Sequence, residues 1–155
     1  PDLTYPEGTP WYGESIDQMG SDVDAGYDRL AAEVQGVKAV NPVGEAFNRA
    51  MRTGVADPNP YDGIDADKID LWTYDHYHAS TYGYYLEALV VFGNVTGVDP
   101  NALGPGECSG LELGMSRGQV EALQQVAHDE LAAAGLRLRM PAGITPPRRP
   151  SPCPA

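Results

Sequence analysis

Basic residues are scarce in this chain. Ten Lys and Arg face 22 Asp and Glu, a formal net charge of −12 at pH 7, and no basic cluster occurs before the extreme C-terminus. A nucleic-acid surface neutralises phosphates with Lys and Arg, so no nucleic-acid partner is expected. Long apolar runs are missing too. Without a stretch of about 18 uninterrupted apolar residues, no membrane span is expected. Cysteine is limited to Cys108 and Cys153. One disulfide between them is permitted rather than required, because Cys153 lies in a Pro-rich tail, and this leaves the location open with a secreted or periplasmic one favoured. The first ten residues carry no Met, no basic n-region and no apolar h-region. The chain therefore reads as a processed product or a fragment, with any targeting signal upstream.

What is present suits one folded domain: 155 residues, of which 42% are hydrophobic. Residues 1–20 mix Pro and Gly with Tyr5, Trp11 and Tyr12 and read as irregular. Within them, Gly13-Glu14-Ser15-Ile16 has the outline of a nucleophile turn. Such an elbow needs a buried apolar strand ahead of it, and Thr9-Pro10-Trp11-Tyr12 is a poor one, so Ser15 reads as a surface-loop serine.

Ser21 is the expected cap of a helix over about 22–35, with Val23, Tyr27, Leu30, Ala31 and Val34 on one face. Residues 37–43 are short, β-branched and closed by Pro42, so a strand is expected there. A helix over about 44–53 follows, carrying Phe47, Ala50 and Met51, and then a long acidic loop over 55–70. The spacing of Asp62, Asp65, Asp67 and Asp70 does not match a calcium loop, which leaves a solvated acidic loop. Ser80 is the expected cap of a nearly all-apolar helix over 81–95, the central packing element. Turn chemistry fills 97–115. Ser116 and Gln119 form a capping box opening a helix to about 134, on whose polar face His128 reads as solvated beside Glu121 and Gln124. Helix followed by strand is the rhythm of an α/β layer fold. The domain is placed at 1–135, and the Pro-rich tail over 136–155 reads as disordered or polyproline-like.

The chemistry concentrates at Asp75 and His78. A histidine can take a hydroxyl proton near neutral pH, and a carboxylate on its other ring nitrogen fixes the tautomer and stabilises the imidazolium. Three-residue spacing lets Asp75 curl beneath the His78 ring, whereas neighbouring side chains at 75 and 76 diverge. His78 is thus the candidate base. His76, with Tyr74 and Tyr77, takes a flanking, substrate-facing role. The same pair could instead be an Asp and a His that satisfy a helix N-terminus, and the residues alone leave both readings open. A metal held by Asp75, His76 and His78 lacks a further spaced His or Cys, so no metal is expected. Five of the nine tyrosines fall within the twelve residues 74–85. Exposed rings of this kind can stack on sugars or other flat ligands.

The block Asp75-x-x-His78-x-Ser80-x-x-Gly83-x-x-Leu86-x-Ala88 resembles the last conserved block of the SGNH (GDSL-like) hydrolases, and Val40 to Phe47 is similar to the segment ahead of it. The resemblance covers about residues 1–134. It implies the C-terminal part of a three-layer α/β/α, flavodoxin-like fold, helix-rich in this portion, and a serine esterase or lipase acting on an ester or an acylated carbohydrate without a cofactor. It makes Asp75 the triad acid and His78 the base. The family's nucleophile and oxyanion-hole blocks have no convincing counterpart here, so the chain alone is expected to be inactive. Its expected partner is the N-terminal half of the same protein or a second copy. The rival expectation is a non-catalytic protein that binds glycans or other flat ligands on the same fold.

Overall fold

The computed structural model describes residues 10–141. Among these are five α-helices and one 3-10 turn, with no β-strand and no sheet: α1 Ile16–Glu33, α2 Val43–Arg52, α3 Thr81–Thr96, the 3-10 turn Pro100–Leu103, α4 Cys108–Glu112 and α5 Arg117–Ala133. The expected three-layer α/β/α architecture is therefore incorrect for the described residues, which form an all-helical body. Residues 1–9, with Tyr5, and the tail over 142–155, with Cys153, lie outside the described residues. Cys108 is disulfide-bonded.

Helix α3 is the centre, as its sequence requires. A helix apolar all round must be covered on several sides, and α3 packs against α2, α5 and the 3-10 turn. Its Tyr85, Leu86, Leu89 and Val90 meet Phe47 and Ala50 of α2, Val120, Leu123, Ala127 and Leu131 of α5, and Ile69 and Leu71 from the connecting chain, in one core cluster. Two glycines let the neighbours come close. A Cβ on Gly93 would stand 2.3 Å from Leu131 Cδ1, and one on Gly83 would stand 2.5 Å from the Leu71 carbonyl oxygen. The 3-10 turn closes over the same core through Gln124, which is buried and donates to the Gly104 carbonyl at 2.9 Å.

The expected strand over 37–43 is the clearest local correction. Its residues 37–42 run without regular structure, and Pro42 starts α2 instead of ending a strand. Among the described residues no strand partner lies alongside. The segment is held by Asn94 Nδ2 of α3, which donates to Val40 O at 3.0 Å and Asn41 Oδ1 at 2.9 Å. A β-branched stretch has nothing to pair with when every packed neighbour is a helix whose backbone bonds are already used.

Helix α1 begins earlier than expected, capped by Ser15 rather than Ser21. Its apolar stripe faces outward: Tyr27 is 57% and Leu30 49% exposed. Contact with α2 is made at Gly20, α1's buried residue, where a Cβ would meet Asn48 Nδ2 at 2.5 Å.

His128 also differs from expectation. It is half-buried, and its Nδ1 lies 2.9 Å from Asp99 Oδ2, near enough to pair but not aligned as a hydrogen bond. On the face read as solvated, Gln124 is buried and His128 half-buried beneath the chain over 97–104, whereas Glu121 stays exposed.

Gly83→Ala is expected to destabilise the fold by about 1–3 kcal/mol, since a backbone carbonyl cannot rotate out of the way. Gly44→Ala, whose Cβ meets nothing within 4 Å, should be neutral or gain up to about 0.5 kcal/mol. Urea unfolding of both variants checks the contrast.

Candidate active site

The turn over 73–78 projects from the N-terminal end of α3. Its neck is closed by a single antiparallel bridge between Trp72 and Ala79, and by the Thr73 N–H donating to the His78 carbonyl at 2.8 Å. Ser80 fastens the neck to the helix. Its hydroxyl accepts from the N–H groups of Tyr82 and Gly83 and donates to the Asp70 carbonyl at 2.6 Å.

Asp75 organises the turn as an Asx motif, in which a short carboxylate accepts from backbone a few residues on. Its Oδ1 accepts from the N–H groups of Tyr77 and His78, both at 3.0 Å, and from the Thr73 hydroxyl. Its Oδ2 lies 2.7 Å from His78 Nδ1. The carboxylate does curl beneath the ring, and one residue both folds the loop and holds the imidazole. The hydrogen bond from Thr73, then those from the His78 ring and from the two backbone N–H groups, holds the Asp75 carboxyl well below the usual carboxylate range. With Nδ1 facing the carboxylate, Nε2 of the largely exposed His78 ring takes no hydrogen bond among the described residues.

The other expected residues scatter around this pair. Tyr74 is 94% and Tyr77 74% exposed, so both rings stand in solvent, and Tyr77 meets His78 edge-on at 5.0 Å between centroids. His76 adopts φ 55°, a left-handed conformation that His tolerates better than most side chains. This turns it away from Asp75 and onto Tyr61 of the acidic loop, 4.4 Å between ring centroids. The acidic loop is tied to its own backbone. Asp57, buried at 3% exposure, accepts from the N–H groups of Asn59 and Asp65, and Asn59 in turn donates to Asp62.

Two participants were missed in the sequence. Thr73 is the principal partner of Asp75, and the Thr-x-Asp spacing before a turn was the available signal. Tyr61 lies fifteen residues upstream of His76, the ring it meets, and no local pattern announces it.

Among the described residues no serine hydroxyl hydrogen-bonds the His78 ring. Each of the five serines among the described residues is used structurally: Ser15, Ser80 and Ser116 cap helices, Ser21 donates to Glu45, and the Ser109 side chain bonds Glu107. Among the described residues no group of three or more His, Cys, Asp or Glu gathers as a metal site, and no helix is long and apolar enough to cross a membrane.

No protein-family model matches the chain, and no curated protein and no solved structure matches it.

Because the folded-state pKa of Asp75 lies below its unfolded value, the order it lends the turn is present above the ordinary carboxylate range and is lost as pH falls through the depressed value. Carbon-detected NMR titration should place Asp75 below the other exposed aspartates. Thr73→Val should move it back up more than Tyr77→Ala does, since the latter keeps the backbone N–H.

Proposed function

We propose that the chain supplies the acid and the general base of a serine ester hydrolase, Asp75 and His78, with the nucleophilic serine coming from outside the described residues. The observation that carries this reading is the 2.7 Å contact between Asp75 Oδ2 and His78 Nδ1, made by a carboxylate with three further donors. A carboxylate fixed this way keeps the proton on Nδ1 and leaves Nε2 free to accept one. His78 Nε2 would take the serine hydroxyl proton as the oxygen attacks the ester carbonyl, then return it to the departing alcohol. Water would enter by the same route in reverse, releasing the acid and restoring the serine. The resemblance of the block from Asp75 to Ala88 to the SGNH hydrolases supports this chemistry. An acyl or acetyl ester, including an acylated carbohydrate, is the substrate class, and a partner segment or second chain bearing the serine is required.

A second reading has its own observation. Tyr74 and Tyr77 expose nearly whole rings on one projecting turn, a platform suited to stacking on a sugar face without catalysis.

The 155-residue chain should show no turnover of p-nitrophenyl acetate above buffer. In the longest product of its reading frame, His78→Ala and Asp75→Asn should each lower kcat about 10⁴-fold with KM little changed. Full activity in His78→Ala would remove the assignment. If serine-directed phosphonates label nothing and the protein binds immobilised glycans through Tyr74 and Tyr77, the platform reading replaces it.

A further inference from the structure

At the root of the same turn, on the side facing α1 and α2, lies a cavity of about 180 Å³ that opens to solvent. Ile16 and Met19 of α1, Val43 and Phe47 of α2, and Trp72 supply its walls. Two lining residues carry polar side-chain atoms, and both present almost nothing to it: Asn48 is 1% exposed with its Nδ2 3.4 Å from the Asp17 carbonyl, and the Trp72 indole N–H is buried without a hydrogen-bond partner among the described residues. The aromatic wall is fixed in shape, because Phe47 and Trp72 meet edge to face with centroids 5.6 Å apart. Gly44 borders the space, and a Cβ built there meets nothing within 4 Å.

We propose that this cavity is a binding site for a compact, uncharged apolar group the size of a benzene or toluene ring. Three features carry the proposal. The walls are carbon, so water entering the cavity finds no set of polar partners to hold it. An apolar cavity of about 150 Å³ already accommodates benzene, and this one is slightly larger. Two aromatic side chains, Phe47 and Trp72, stand in the lining, and another flat ring packs favourably against such neighbours. A charged group would lose its hydration without compensation and is excluded. The site does not rest on the hydrolase reading, since its walls include neither Asp75 nor His78. If that reading also holds, the ring of an aryl ester is one occupant of the right kind.

The test is a titration of toluene into the full 155-residue chain, followed by NMR. Saturable shifts are expected at Met19, Phe47 and the Trp72 indole, with intermolecular NOEs to those residues. Gly44→Leu, which adds a bulky side chain at the exposed rim of the cavity, should weaken binding at least tenfold. The proposal is overturned if no saturable shift appears up to the solubility limit of toluene. It is equally overturned if the NOEs fall on the shallow exposed patch of Tyr84, Val91 and Phe92 instead, or if folded Gly44→Leu binds as well as the parent. Should Gly44→Leu lose its helical circular dichroism, the NOE map of the parent chain decides alone. Esterase assays of the same samples are scored separately, so a failed hydrolase reading leaves this result standing.

Discussion

Ser80 is the joint on which the molecule turns. Its hydroxyl closes the first turn of α3 while donating to Asp70, and its own N–H reaches the Leu71 carbonyl at 2.8 Å. One residue thereby sets where the central helix begins, draws the end of the acidic loop down onto it, and fixes the neck of the turn that bears Asp75 and His78. The close approach at Gly83 belongs to the same joint, since the Leu71 carbonyl occupies the space a side chain would need. Loss of a capping hydroxyl costs about 1 kcal/mol in most helices. Here the same hydroxyl also answers a carbonyl from another segment, so the helix end and the turn depend on each other.

What the sequence made legible was local. The caps at Ser80 and Ser116, the capping box with Gln119 and the Asp75–His78 contact all join residues within three positions of one another, and each can be read from spacing alone. The errors arose where the outcome depends on what lies across the fold. A β-branched run at 37–43 is equally compatible with a strand and with an unpaired extended link, and among the described residues no strand offers itself. The stripe of Val23, Tyr27, Leu30 and Val34 has the period of a buried face, yet periodicity does not state that a covering layer exists. His128 looked solvated because its cover, Asp99 and the 3-10 turn, is about thirty residues away. The stacking of Tyr61 on His76 is invisible for the same reason.

In the proposed reading one carboxylate would serve folding and chemistry together. Four donors converge on Asp75, of which three shape the turn and one is the imidazole. Support of this kind keeps the imidazole oriented without burying it, and under the proposed function a nucleophile and an oxyanion site would have to be brought from elsewhere. The structural employment of every described serine is consistent with a division of labour in which these residues contribute proton transfer and positioning. The same turn displays the exposed rings of Tyr74 and Tyr77, so in the proposed reading recognition and proton transfer would share one projection.

The outward stripe of α1 has a consequence for how the protein opens. Helix α3 is enclosed by α2, α5 and the 3-10 turn, whereas α1 rests on α2 near Gly20 and leaves much of its apolar side in water. Segments with few buried contacts unfold at a lower free energy than the body they attach to. Backbone amides of α1 should therefore exchange with deuterium well before those of α3 and α5, and a protease should nick the chain first at Gly36 and its neighbours, releasing the N-terminal helix from a remainder that stays folded.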